Sequence, residues 1–382
     1  MSSKEGVPKV LHCVERMDTN AIETWLARMQ SHALRTNVPV DWWFHVQFKE
    51  PGRLEKVYPE CRSRIIRSPC TLSETFRFFS AFYLACKTQR FDVIHVHADL
   101  MSAPYVLAGR LAGVRHIIVH VHNSDECLPT PSTVKQRLLR EPMRQICLRM
   151  ADRVVGISNH TLDSFLGGRA RRPGRDSVHY YGVNPAPFAN TPADRSSFRR
   201  ELRLPEAAVI LLFAGRMVPE KNPVFAVEVL RKLRELTPHA FAVFAGSGSH
   251  EQHVLQRARE LEVEDGVRLL GWRDDLPEIM SCSDWFILPH PEHPMEGFGL
   301  AVVEAQLAGM RMLLSHGIPD DPLLPTACFR RLPMAYGPMV WAKAAVELLR
   351  ESAPSRAAAI AAMKESPMDM DRALEGLVEL HA

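Results

Sequence analysis

The sequence predicts an α/β protein made of two doubly wound, Rossmann-like domains that face each other across a cleft. Three observations carry this. At 382 residues the chain has about twice the length of a usual domain. Short apolar runs alternate with longer helical patterns through both halves, as parallel strands joined by crossover helices do. Between the halves, the stretch 185–205 holds Pro187, Pro192 and several polar residues and reads as a linker. The resulting division is 1–186, 187–364 and a terminal helix within 365–382.

In chain order, 8–14 reads as a first buried strand. A helix over 22–34 follows, with Ile22, Leu26, Met29 and Ala33 on one face. Strands are expected at 40–46, 64–67, 93–96, 117–121 and 154–157, separated by helical patterns at 73–89, 103–112 and 132–150. After 205 a second alternation begins. Its strands are expected at 209–213, 241–245, 267–270, 285–288 and 312–314, and its helices at 224–236, 251–261, 300–308 and 340–349. The segment 371–380 has the pattern of an amphipathic helix.

Composition excludes several classes. Hydrophobic content of 46%, charged content of 24% and a net charge of +3 describe a globular protein with no electrostatic case for nucleic acid. No secretory signal is visible and no apolar run approaches the ~20 residues of a membrane helix, so a cytoplasmic protein is expected. The 8 cysteines, Cys13, Cys61, Cys86 and Cys282 among them, form no Cys-x-x-Cys pair and are expected to be reduced and mostly buried.

The most informative stretch runs from Glu296 to Gly309. Gly297 and Gly299 flank Phe298, and apolar Leu300, Val303, Leu307 and Ala308 follow at helical spacing. A loop running into a helix N-terminus suits an anion such as a diphosphate. Glu296 and Glu304 would be repelled by a phosphate, but each can accept hydrogen bonds from the hydroxyls of a sugar or a ribose. Upstream, Arg216 and Lys221 occupy another loop between a strand and a helix. Cations are disfavoured at the positive end of a helix, so a pair of them there points to an anionic ligand.

Together these two elements resemble the retaining glycosyltransferases of family 4, whose fold is GT-B. Arg216, Lys221, Glu296 and Glu304 match that family's pattern position for position. The runs from Phe91 to His97 and from Ile118 to Ser124 resemble its exopolysaccharide-synthesis branch. The resemblance implies an N-terminal acceptor domain, a C-terminal nucleotide-sugar domain and a last helix that crosses back to the N-terminal domain. It implies that Arg216 and Lys221 hold the donor diphosphate, Glu304 the ribose and Glu296 the sugar. Gly246 and Gly248 would lie beside the donor, and Gly271, Trp272 and Arg273 would contact the nucleobase through backbone groups. His122, with His120 as the slipped alternative, would lie over the donor sugar.

Other readings compete. Gly246-x-Gly248 after a strand invites a dinucleotide-binding oxidoreductase, but the third glycine is missing. His95, His97, His120 and His122 pair on the faces of two strands, and no carboxylate or cysteine completes a metal set, so no metal site is expected. Asn20 and Ala21 stand where the family usually has two glycines, followed by Glu23, which allows a nucleotide-sugar-binding protein without transfer activity. Basic residues Lys135, Arg137, Arg140, Arg144, Arg169, Arg171, Arg172 and Arg175, beside Leu138, Leu139 and Leu148, form a solvated face or a dock on an anionic membrane carrying a lipid-linked acceptor. The expected activity is metal-independent, retaining transfer from a UDP-sugar, or secondarily a GDP-sugar, to a saccharide or lipid-linked acceptor.

Overall fold

The computed structural model describes residues 6–18, 20–62, 64–124, 134–191 and 194–382, and for 134–137 the backbone alone. The chain forms two compact units, Met1–Gly182 with Met370–Ala382, and Val183–Asp369.

Among its described residues unit 1 holds seven parallel strands: β1 (Lys9–Val14), β2 (Asp41–Val46), β3 (Ile65–Arg67), β4 (Val93–Val96), β5 (His116–Val121), β6 (Arg153–Gly156) and β7 (Asp176–Val178). Their order is β3-β2-β1-β4-β5-β6-β7. The central strands are buried on both faces, which is why they read as mostly apolar runs, with His12, His95 and His120 the buried exceptions. Three-residue β7 lies at an edge and is half-buried, so it carries no such run and the sequence gives no sign of it.

Among its described residues unit 2 holds six parallel strands: β8 (Val209–Ala214), β9 (Ala240–Ala245), β10 (Val267–Gly271), β11 (Trp285–Leu288), β12 (Arg311–Ser315) and β13 (Phe329–Leu332), ordered β10-β9-β8-β11-β12-β13. All its pairings are parallel. In both sheets the order reverses beside the first strand, between β1 and β4 and between β8 and β11. At such a switch point the loops leaving adjacent strands diverge and open a crevice at the carboxyl ends.

The stretch 185–205 is not a linker. It contains the helices Ala186–Asn190 and Arg195–Glu201, and both belong to unit 2. Pro187 falls in the first helical turn, where the missing N–H costs nothing. Asp194 caps the second helix through the Ser197 N–H, and Arg356 Nη1 donates to the carbonyls of Phe188 and Thr191. The chain passes between units at Gly182/Val183 and returns at Asp369/Met370.

The helix Met370–His381 packs in unit 1 beside the helix Ala21–Arg35. Its apolar face buries Ala373, Leu374 and Leu377, while histidines hold its polar groups. His32 Nε2 lies 2.6 Å from Asp371 Oδ1, His179 Nε2 2.8 Å from the Ala373 carbonyl, and His116 Nε2 3.1 Å from the Leu380 carbonyl. At its last turn His381 Nε2 meets His95 Nδ1 at 2.9 Å.

Candidate functional site

In unit 2 the candidate residues gather where β8, β9 and β11 end. From β8 the chain enters Gly215, at φ +144, and Arg216, then a short 3-10 turn over Pro219–Lys221, before the helix Pro223–Leu236. From β11 it runs through His290 to Glu296 and turns at Gly299, φ +95, into the helix Leu300–Leu307. Gly299 is the N-cap of that helix, in a left-handed conformation that a side chain would strain. Phe298 is buried and anchors the loop, while Gly297 and Leu300 are half-buried.

Lys221 and Glu296, far apart in sequence, form a half-buried ion pair with Nζ 2.5 Å from Oε2. His290 Nε2 lies 3.5 Å from the same oxygen. Burial pushes the Glu296 carboxyl up, but Lys221, His290 and Arg216 outweigh it and hold the group below its ordinary value, so it is ionised at neutral pH. Burial lowers His290, with Glu296 opposing. The backbone backs this arrangement: the Glu296 N–H donates to the Gly317 carbonyl at 2.8 Å and Ser315 Oγ donates to the His290 carbonyl. His290 was not foreseen, because a lone histidine after an apolar strand has no motif to mark it. Glu304 sits one turn into the helix, half-buried.

Gly246 and Gly248 have a packing reason to be glycine. A Cβ at Gly246 would meet the Gly215 carbonyl oxygen at 2.0 Å, and one at Gly248 would meet the Met217 carbonyl oxygen at 2.2 Å. Their loop runs against the Arg216 loop, with hydrogen bonds from the Met217 N–H to the Ser247 carbonyl and from the His250 N–H to the Met217 carbonyl. The glycines therefore permit a close approach of two loops that hold Arg216 in place. The same loop ends at the Gly246 N–H, which donates to Gly271 at 2.8 Å. Next to it Trp272 is about half-exposed, and Arg273 is committed to Asp275 and Glu201 at 2.5 and 2.8 Å. Those two carboxylates raise the Arg273 guanidinium further, so its side chain is a local strut.

Unit 1 presents a different chemistry. His12 on β1, His95 on β4 and His97 just after it, and His120 on β5 and His122 just after it form one buried layer with His179 and His381. His122 is 4% exposed, with Nε2 2.9 Å from His97 Nδ1 and Nδ1 2.8 Å from Tyr181 Oη. Both its ring nitrogens are thus engaged inside unit 1, and burial lowers it to about 3, which keeps the ring neutral. His120 bonds His95 through Nδ1 at 3.1 Å and is fully buried.

In the loop before the helix Ala21–Arg35, Asn20 is extended at φ −77 and Ala21 is already helical. Neither position needs a left-handed residue, so the missing glycines cost this loop no backbone strain.

Of the basic cluster, Lys135 and Arg137 have side chains outside the described residues. Arg144 and Arg169 pair with Glu141 at 2.9 and 2.7 Å, Arg171 with Asp163 at 2.8 Å and Arg172 with Asp176 at 2.6 Å. Arg175 donates to the carbonyls of Ala151 and Asp152. Leu138 and Leu139 beside them are exposed. Among the described residues no helix is long and apolar enough to cross a membrane.

Comparison with known proteins places these features in a lineage. Residues 194–319 match the family described as glycosyl transferases group 1, and residues 35–182 match the glycosyl transferase 4-like domain. A UDP-Gal:alpha-D-GlcNAc-diphosphoundecaprenol alpha-1,3-galactosyltransferase of Escherichia coli is 26% identical over 64% of the chain, which spans 63% of that enzyme, just under two thirds. The glycosyltransferase EpsF of Bacillus subtilis is 24% identical over 91% of the chain and 89% of its own length. Among solved structures, Anabaena Alr3699/HepE in complex with UDP-glucose superposes with a TM-score of 0.78 at 17% identity, covering 97% of this chain and 98% of that one.

Proposed function

Because the chain belongs to family 4 of the glycosyltransferases, with the GT-B fold, we propose that it moves a sugar from a nucleotide donor to an acceptor hydroxyl with retention, without a metal ion. The observation that carries the reading is the Lys221–Glu296 pair beside Arg216 and the Gly299 turn. A half-buried cation and carboxylate in loops at a switch point lose part of their hydration and add little stability by themselves, since replacing a desolvated pair by apolar groups is often neutral or better. They make sense as two halves of a ligand site. On donor binding, Lys221 turns from Glu296 to the diphosphate and Glu296 turns to the sugar hydroxyls.

In this reading Arg216, Lys221 and the N-terminus of the helix Leu300–Leu307 stabilise the departing diphosphate. Glu304 holds the ribose hydroxyls. The bond between the anomeric carbon and the diphosphate oxygen breaks as the acceptor oxygen bonds to the same face of that carbon. The acceptor proton passes to the leaving phosphate. Two cations carry the charge that a metal would otherwise neutralise. His122 contributes as a neutral, fixed ring that orients the sugar, a role taken from the family resemblance.

A UDP-sugar is the favoured donor and a GDP-sugar the second. The acceptor is a saccharide or a lipid-linked saccharide of cell-surface or exopolysaccharide synthesis, reached at an anionic membrane through Leu138, Leu139 and the basic side chains around them. Support comes from the Escherichia coli relative, named for a UDP-galactose donor and a diphosphoundecaprenol acceptor, and from the UDP-glucose complex of the Anabaena structure. Sedimentation with vesicles that is the same with and without anionic lipid would remove the membrane part.

The test is a thermal-shift panel of UDP- and GDP-sugars, followed by transfer of labelled sugar from the donor that stabilises the protein. The expected result is one stabilising donor, lost in both Arg216→Ala and Glu304→Ala, with turnover that Mg2+ and Mn2+ do not stimulate. Binding without transfer or hydrolysis across an acceptor panel would favour the second reading, a nucleotide-sugar-binding protein, which Asn20 and Ala21 motivate.

A further inference from the structure

The geometry points to a transition-metal site of the zinc class in unit 1, in which His12, His95 and His381 bind one ion and fasten the helix Met370–His381 to β1 and β4. It is separate from the donor chemistry, to which it supplies no group. One ring nitrogen from each of these histidines lies within 4.8 Å of the other two, and all three residues are buried. Their ring centroids form a nearly equilateral triangle with sides of 5.2, 5.2 and 5.3 Å. With zinc–nitrogen bonds of about 2.0–2.1 Å, each centroid of a tetrahedral site lies roughly 3.2 Å from the ion and about 5.2 Å from its neighbours. The alternative trio of His95, His97 and His120 has one side of only 4.3 Å and fits less well.

The hydrogen bonds outside the triangle fit the same assignment for His12 and His95, while His381 turns Nε2 to His95 and keeps a buried Nδ1 that has no partner. Ligating histidines commonly donate their other ring N–H to an outer partner, which fixes the tautomer and leaves the second nitrogen for the ion. His12 uses Nδ1 toward His97 Nε2 at 3.1 Å, and its buried Nε2 has no partner. His95 uses Nε2 toward His120 Nδ1 at 3.1 Å and turns Nδ1 to His381. The ligand atoms are therefore His12 Nε2, His95 Nδ1 and His381 Nε2. The last two lie 2.9 Å apart and need separate by only about 0.4 Å to span a tetrahedral edge.

The surroundings favour an ion that accepts neutral nitrogen donors. Burial lowers His12 to about 3 and carries His95 and His381 well down, so the rings need lose no proton to bind. Trp42 packs against His12 and His381, and Phe44 stacks on His12, which keeps bulk water off the site. Imidazole donors with no carboxylate oxygen select zinc, cobalt, nickel or copper over magnesium or calcium.

The experiment uses the full chain without an added histidine tag, refolded or dialysed with Zn2+ or Co2+ and freed of excess metal by gel filtration. The expected result is one metal per chain, the strong visible absorption of four-coordinate Co2+, and a Tm rise of about 5–10 °C at a free metal concentration 100-fold above Kd. His381→Gln and His12→Gln, each checked by circular dichroism, should lose the metal and the shift. Retention of stoichiometric metal in either folded variant, or no uptake by the wild type, would overturn the proposal. Anomalous diffraction from wild-type crystals grown with Zn2+ needs no variant. A peak among the three rings supports the site, and a peak elsewhere or none refutes it.

Discussion

The two units share a sheet order and differ in where they keep their titratable groups. In unit 2 the ionisable residues of interest sit half-buried at strand ends, charged and paired, as Lys221 and Glu296 are. In unit 1 they lie inside the sheet layer, fully buried, neutral and linked ring to ring from His381 through His95 to His120 and from His12 through His97 to His122. An exposed end of a strand can hold a charge because water and a ligand share the solvation. The middle of a strand cannot, so its histidines must give up the proton. One architecture thus supports a charged site for an anion in one half and a neutral nitrogen lattice in the other.

The largest expected effect separates the halves by pH. His12, His45 and His122 fall to about 3 in the folded state, and His95, His97, His120 and His381 are also lowered, in each case mainly by burial. A histidine with a lowered folded value stabilises the fold fully above its unfolded value of about 6.5 and progressively loses that contribution as pH falls toward 3. His12, His45 and His122 each remove about 1.4 kcal/mol of stability per pH unit in that window, and the other lowered histidines act in the same direction. Unit 1 should therefore open by pH 5 while unit 2 stays closed. Hydrogen exchange read peptide by peptide between pH 7.5 and 5 checks this, and parallel loss of protection in both units would break the comparison.

Glu296 runs the other way. Its lowered carboxyl gives stability that is present above the ordinary glutamate value and lost as pH falls below it, so this part of unit 2's stability goes only under more acidic conditions, while His290, also lowered, removes a smaller part as pH falls below the ordinary histidine value. Glu296→Gln should flatten that acid limb. For activity, Lys221→Ala should lower kcat/KM about 10²–10³-fold by removing a diphosphate cation. Steady-state kinetics with the stabilising donor tests it, and a loss under tenfold would return the pair to a structural role.

Smaller effects sharpen the picture of the loops. Gly248→Ala puts a methyl against the Met217 carbonyl and should cost about 1–3 kcal/mol while weakening donor affinity. Denaturant melts and donor titrations on the same samples would show whether the two losses move together. Arg273→Ala removes a partly exposed strut and should change stability by less than about 1 kcal/mol, with little change in donor KM. A tenfold rise in KM would give the Arg273 side chain a donor role beyond the backbone contact with the nucleobase that the family resemblance implies.

Much of this was legible in order along the chain. The runs at 285–288 and 93–96 are strands within their expected bounds, because strands buried on both faces are mostly apolar, with buried His95 the exception in the second. Arg216, Lys221, Glu296 and Glu304 stand out because cations and carboxylates beside glycine turns are hard to explain without a ligand. The stretch 185–205 has the composition of a linker yet forms two helices of unit 2, since prolines mark a helix start as readily as a linker. His12 and His381 were invisible as partners, for they lie at opposite ends of the chain and share no motif.

The sequence by itself determined the α/β class, the two-unit organisation and the loops that carry the charged residues, because periodicity and turn chemistry act over a few residues. Only the tertiary structure decided that Lys221 spends its charge on Glu296, that the glycines of the Gly246 loop serve a close backbone approach, and that the histidines of β1, β4 and the last helix converge. Those outcomes depend on distances between segments far apart in the chain, which strand order and register set and no local pattern encodes.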